Sequence, residues 1–336
     1  MSRPLTIDFH THTIVPEVYD FVQKAFEEGK GPPRPFVSKV SKEFQDRQYK
    51  ALEPKMLDPS EKLSDMDAQG IDIQVLSIEL NHYCYWTEPK RGNEVARNCN
   101  EHISALVAKA PDRLVGLATV PLQSPALAID ELNHAVKTLG LRGVIVSSHA
   151  ENRELGDSGL LEFWRTAEQL DVPVFIHPAG TSHPERLSQF FMWNSIGQPL
   201  EETIALCSMI YEGVLDAVPK LKIVMAHGGG YLPFYTGRAD RAFEKRPEST
   251  KNINRKPSEY LRQVYFDTCI YNTDMLEFLA GKVGEDRLLM GSDYPLYLKD
   301  DDPVEFVNAS SISDEGKRRI LGATAAELLG LSVKSQ

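Results

Sequence analysis

Eight short runs of apolar and β-branched residues recur along the chain, separated by longer stretches with helical periodicity. The runs cover residues 5–9, 71–78, 114–120, 143–147, 172–177, 221–227, 263–269 and 287–293. Helical patterns are clearest over residues 59–69, 93–110, 125–139, 159–170, 199–217 and 273–283, with a further one at 314–329. Parallel strands cannot be joined by a tight turn and need a crossover, usually a helix. The alternation therefore predicts a parallel sheet. Eight strands in 336 residues fit a (β/α)8 TIM barrel, an α/β fold of about 250 residues before insertions. An open, doubly wound sheet is the rival, but it normally carries a Gly-x-Gly-x-x-Gly turn after its first strand. Here that position reads His10-Thr11-His12. We expect one domain over residues 1–336.

Four of the runs end on residues that hold metals or move protons. They read Ile7-Asp8-Phe9-His10-Thr11-His12, Val174-Phe175-Ile176-His177, Ile223-Val224-Met225-Ala226-His227 and Leu288-Leu289-Met290-Gly291-Ser292-Asp293. His10 and His12 are two apart, so a strand turns both to the same side. In a barrel all these strand ends meet at one rim, the face where active sites sit. Imidazole and carboxylate together suit Zn²⁺, and also Mn²⁺ or Fe²⁺. A His at one strand end is an ordinary structural feature; five such residues in barrel order are not. The remaining histidines, His82, His102, His134, His149 and His183, lack this context and are expected in local or surface roles.

Two segments interrupt the pattern. Residues 13–58 are long and polar and contain the breaker cluster Gly29-Lys30-Gly31-Pro32-Pro33-Arg34-Pro35. Following the first strand on the catalytic face, they are expected to form an insertion or lid. Residues 178–198 follow the fifth strand and carry Phe190, Phe191, Met192 and Trp193. Such a loop over the site stacks a substrate, or forms a satellite cluster or a subunit contact.

The net charge of -11 argues against a nucleic-acid partner, because an acidic surface repels phosphate backbones. A local arginine pair still permits an anionic substrate. Cys84, Cys99, Cys207 and Cys269 are widely spaced with no Cys-x-x-Cys pair, which reads as reduced thiols in a cytoplasmic protein. No run approaches the roughly 18 apolar residues of a membrane span, and the first residues show no secretory pattern.

The succession His-x-His, His177-Pro178, His227-Gly228-Gly229-Gly230 and Gly291-Ser292-Asp293-Tyr294-Pro295 resembles the amidohydrolase superfamily, in particular its decarboxylase branch. Met66-Asp67-Ala68-Gln69-Gly70-Ile71-Asp72, Val120-Pro121-Leu122-Gln123, Ser208-Met209-Ile210, Gly237-Arg238 and Gly284-Glu285-Asp286-Arg287 extend the likeness over nearly the whole chain. The resemblance implies one divalent metal, zinc most often and manganese in some members, held by His10, His12, His177 and Asp293. It implies that His227 acts as acid/base, with Asp293 sharing proton transfer. Arg238 matches an arginine that binds a substrate carboxylate, often across a homodimer interface. A second arginine normally comes from the insertion after strand one; Arg47 is the nearest candidate and Lys50 the alternative. Hydrolytic members with two metals bridge them by a modified lysine at the end of strand four, where this chain has Val146-Ser147-Ser148-His149. The resemblance thus implies a non-oxidative decarboxylase of a small unsaturated or aromatic carboxylic acid, such as an aminocarboxymuconate semialdehyde or a hydroxybenzoate. The alternative is a mononuclear hydrolase of a lactone, amide or ester. The family's tryptophan after His-Pro is replaced by Ala179, and the text after Asp-Tyr-Pro is Leu296-Tyr297-Leu298-Lys299. Both changes bear on the substrate pocket.

Overall fold

A computed structural model describes residues 3–31 and 39–332. Its eight principal strands are β1 Ile7–Thr13, β2 Ile73–Ile78, β3 Leu114–Gly116, β4 Val144–Val146, β5 Pro173–Ile176, β6 Lys222–Met225, β7 Val264–Asp267 and β8 Leu288–Leu289. All pair in parallel. β1, β2 and β3 form one ladder, and β4 to β8 form another in chain order. Two single bridges join the ladders into a ring, Ala118 to Val144 and Thr11 to Tyr294. The result is a closed (β/α)8 barrel with no free sheet edge.

Helices α1 Pro16–Glu27, α2 Lys39–Leu57, α3 Pro59–Gln69, α4 Pro89–Val107, α5 Pro125–Lys137, α6 Leu161–Gln169, α7 Gln198–Tyr211, α8 Leu232–Lys245 and α9 Thr273–Val283 account for most of the connections. Local chemistry fixes their ends. In α3 the Asp58 carboxylate accepts from Ser60 N at 2.8 Å, Pro59 opens the first turn, and Gly70 closes the helix at φ +69°. These are the residue choices that helix starts and left-handed caps favour.

The stretch expected to be an insertion or lid carries two of these helices. α1 buries Val18, Val22 and Ala25. α2 runs straight into α3 with Pro54 inside it, and residues 32–38, between α1 and α2, lie outside the described residues together with Pro32-Pro33-Arg34-Pro35 of the breaker cluster. Loop-like composition therefore hides α2: its charged residues and its proline read as breakers, yet Met56 at its end is fully buried against the barrel. Ile14 N donates to the Met56 carbonyl at 3.1 Å, and the Thr13 hydroxyl donates to the same oxygen at 2.6 Å. The four cysteines are free thiols. No helix of the described residues is long and apolar enough to cross a membrane.

The barrel interior is filled by side chains. The Phe175 ring meets Phe9 edge-on at 5.5 Å and His10 at 4.9 Å, so an aromatic floor lies directly beneath the histidines. Phe175→Ala should lower stability by about 3–5 kcal/mol, the usual cost of truncating a buried Phe. Urea unfolding of wild type and variant under identical metal loading measures it.

Candidate active site

β1 is irregular where it matters. Ile7 and Asp8 pair with Ile73 and Gln74, but Thr11 pairs with Leu76, so two residues, Phe9 and His10, stand opposite one. A bulge of this kind bends a strand and re-aims a side chain. Asp8 holds it in place, accepting from His10 N at 3.3 Å, Ser292 N at 3.0 Å and Ser292 Oγ at 2.5 Å. Burial nevertheless pushes the Asp8 carboxyl up to about 6. From the other side, the buried Lys62 Nζ of α3 donates to the His12 carbonyl at 2.8 Å.

The imidazoles are oriented by acceptors behind them. His10 Nδ1 lies 2.7 Å from Asp267 Oδ2, His12 Nδ1 3.1 Å from the Ile78 carbonyl, and His177 Nδ1 2.9 Å from the Pro178 carbonyl. Carbonyl oxygens, and the Asp267 carboxylate, only accept, which places a hydrogen on each Nδ1 and turns each Nε2 inward. His10 Nε2 and His12 Nε2 are 3.2 Å apart, and Asp293 Oδ1 is 3.3 Å from the first and 3.0 Å from the second. His177 Nε2 is buried without any partner. Metal-binding atoms of His10, His177, His227 and Asp293 all lie within 4.8 Å of one another. Three inward nitrogens, one of them orphaned, around one carboxylate oxygen are the donor set a divalent transition ion takes. The residues present fit such an ion.

Charge within the cluster is uneven. Burial lowers His10, but Asp293 and Asp267 outweigh it and hold the imidazole up at about 10. Burial would raise Asp293, yet His10 and His12 keep it well below the usual carboxylate range. Burial and the neighbouring imidazoles hold His177 well below the usual imidazole range.

His227 sits at the open side. Its side chain keeps 15% exposure, whereas those of His10 and His12 keep none. Its ring centroid lies 4.9 Å from that of His177 and 5.3 Å from that of His10. Its Nδ1 is 2.5 Å from Glu202 Oε1 on α7. Burial disfavours the imidazolium, but the Glu202 carboxylate prevails and His227 is raised. Sequence reasoning found neither Asp267 nor Glu202. Asp267 ends β7, so it carried the same strand-end signal as the others. Glu202 sits on the buried stripe of α7 together with Gln198, Glu201, Ala205, Leu206 and Met209, where an acid breaks an apolar period.

The structure thus brings His10, His12, His177, His227 and Asp293 together. It does not bring in Arg238, which is exposed on α8 and makes no hydrogen bond or ion pair with any described residue. Arg47 and Lys50 are likewise exposed on α2. His183 is exposed in the loop after β5, while His82 is fully buried between Glu79 and the Val15 backbone. In the aromatic loop Phe190 is 89% exposed, and the Phe191 ring contacts Trp193 at 5.0 Å and Tyr297 at 5.9 Å.

A closed barrel with a histidine and aspartate cluster at the C-terminal end of its strands defines a metal-dependent barrel enzyme. The amidohydrolase family model matches residues 7–331, and the chain belongs to that family. It is 31% identical to the 2-amino-3-carboxymuconate-6-semialdehyde decarboxylase of Dictyostelium discoideum, over 98% of this chain and 92% of that one. It is 28% identical to the gamma-resorcylate decarboxylase of Polaromonas sp., over 85% and 92% respectively. A solved dihydroxybenzoic acid decarboxylase from Polaromonas sp. JS666, with bound manganese and the inhibitor 2-nitroresorcinol, superposes with a TM-score of 0.83. The two are 25% identical, with 98% of this chain and 97% of that one covered.

Metal affinity should rise with pH up to about 10, because ligation at Nε2 requires His10 to give up the proton that Asp293 and Asp267 favour. Equilibrium dialysis at several pH values, read by elemental analysis, measures this; an affinity flat across the range counts against ligation by His10.

Proposed function

We propose that the chain is a metal-dependent, non-oxidative decarboxylase, a carbon–carbon lyase that replaces the carboxylate of a small aromatic or unsaturated acid with a proton. The observation that carries this is the single cluster of inward Nε2 atoms around Asp293, set in a family whose similar members include decarboxylases. Candidate substrates are aminocarboxymuconate semialdehydes and dihydroxybenzoates, the acids named for those relatives. The mononuclear hydrolase is the second reading; a two-metal hydrolase is disfavoured because the β4 end offers Ser147 and Ser148 where a bridging lysine would stand.

His10, His12, His177 and Asp293 would hold the ion, zinc or manganese. When bound, it supplies Lewis-acid stabilisation for the electron pair released as the C–C bond breaks. The chain's own groups do the rest. His227, the only one of the four clustered imidazoles facing the opening, delivers a proton to the carbon that loses CO2. The Asp293 carboxylate, next to His10 and His12, keeps the inward face anionic and shares proton transfer. Atoms balance as carboxylate plus proton giving CO2 and a C–H bond.

Arg238 fixes the substrate carboxylate with a bidentate fork that lysine cannot reproduce. It lies outside its own chain's cluster, so we assign it to the site of a second copy in a homodimer. Tyr231, Tyr235 and Arg238 share one helical face of α8, and Phe278 and Met275 of α9 are exposed as well. Those aromatics are the residue types enriched at interfaces. Arg47, or Lys50, is the proposed second contact to the substrate. Free thiols throughout suit a cytoplasmic enzyme.

CO2 release from a panel of these acids should be abolished by chelation and by His227→Asn. A fully metal-loaded enzyme silent on the whole panel would argue against the reaction. Mixing inactive His227→Asn with inactive Arg238→Ala should restore activity, to about a quarter of wild type after subunit exchange, because each mixed dimer contains one intact site. Absence of recovery on confirmed exchange places Arg238 in its own chain's site or outside the reaction.

A further inference from the structure

We infer that Glu202 is a positioning residue that selects Nε2 as the working nitrogen of His227. This rests on the assignment of His227 as the proton-transferring group. α7 presents Glu202 from its buried face, with the side chain fully excluded from solvent. Its Oε1 contacts His227 Nδ1 at 2.5 Å, and its Oε2 has no hydrogen-bond partner. The carboxylate is thus committed to one imidazole nitrogen.

The backbone around His227 ensures that the two meet. His227 itself adopts φ +47°. Gly228 N donates to Asp267 Oδ1 at 3.1 Å, and Tyr231 N donates to Thr203 Oγ1 of α7 at 2.8 Å. Gly230 lies so close to α7 that a Cβ there would come 2.0 Å from the Pro199 carbonyl oxygen. The triple-glycine turn is therefore seated on the first turns of α7, at Pro199 and Thr203, three residues before Glu202 and one after it. β7 and α7 hold the turn from two sides.

A neutral imidazole carries its hydrogen on either nitrogen, and its ring can turn over. Burial pushes the Glu202 carboxyl up to about 7; above that pH it is ionised and can only accept, so it holds the hydrogen on Nδ1 and blocks the flipped ring. The Nε2 lone pair then faces the cluster, ready to take and return a proton. The arrangement has the logic of the buried acid behind the histidine in hydrolase triads, where removing the charge cost about 10⁴ in kcat through the wrong tautomer.

Glu202→Gln is nearly isosteric, and it should lower kcat by about 10²–10⁴-fold while KM and metal content stay constant. A role confined to supporting α7 would lower metal content and the unfolding midpoint along with kcat, and that result overturns the inference. A second measurement needs no turnover. In the zinc-loaded wild type, long-range ¹H–¹⁵N spectra should show His227 with Nδ1 protonated and its proton far downfield, moving upfield in Glu202→Gln. Finding the hydrogen on Nε2 in wild type overturns the positioning role whatever the activity. The expected spectrum in a protein that decarboxylates nothing would instead leave the positioning intact and remove the decarboxylase assignment.

Discussion

The site depends on the seam where the last strand closes on the first. Phe9 N donates to the Met290 carbonyl at 2.9 Å, Asp293 N to the His10 carbonyl at 2.9 Å, and His12 N to the Tyr294 carbonyl at 2.7 Å. These backbone bonds join residues from opposite ends of the chain. They make Asp293 a neighbour of His10 and His12, which no local structure could do. Side chains alternate along a strand, so a slip of one residue at this seam would turn both histidines away from the centre. The Asp8 carboxylate, bonded to Ser292 just beyond β8 and to His10 N on β1, fixes the register by side chain as well as by backbone.

Once the seam is closed, charge decides what each carboxylate does. Asp293 faces the centre. Asp267 and Glu202 stand behind His10 and His227. Three acids with similar intrinsic chemistry thus take two roles, according to whether an imidazole lies between them and the centre. An acid behind an imidazole fixes its tautomer and raises its basicity, and an acid in front of it is a ligand. The neutral acceptors behind His12 and His177, both backbone carbonyls, orient those rings without adding charge. This limits the negative charge buried around the cluster, where each unpaired ion would be costly.

The sequence made the barrel legible because parallel strands buried on both faces must be almost continuously apolar, and all eight runs match observed strands. Helices α3 and α9 were legible to the residue because Asp58-Pro59 and Asn272 mark their starts and Gly70 and Gly284 their ends. α8 was not, since it buries only Leu232, Pro233 and Thr236 and leaves most of its remaining length partly or fully exposed. The rim histidines and Asp293 were legible because each lies at or just beyond the end of an apolar run in the sequence. Asp267 ends β7, but the apolar run continues in sequence to Cys269, which masked the position. Glu202 has no strand-end signal at all. Its trace is a pair of acids, Glu201 and Glu202, on the apolar period of a helix. Their partners, the Ser182 amide and the His227 ring, lie on other elements. A buried acid is readable from sequence; what it is buried against is not.

The division between rim and loops explains why relatives of similar architecture act on different acids. The residues proposed to hold the ion, His10, His12, His177 and Asp293, stand in β1 or just beyond the ends of β5 and β8, fixed by the barrel. The groups beyond them stand on connections. The loop after β5 is tied down by the bond from Ser182 N to Glu201 and then carries Phe191 and Trp193 against Tyr297 from the loop after β8. Phe190 and Phe191 both adopt positive φ, 57° and 60°, a conformation non-glycine residues hold only when their surroundings impose it. These positions lie where Ala179 and Leu296-Tyr297 depart from the decarboxylase pattern. Binding energy from such loops can distinguish one acid from another, while the proton transfer proposed for His227 asks only that a carboxylate be held above the cluster. Selectivity can therefore drift along the loops without disturbing the seam on which the chemistry rests.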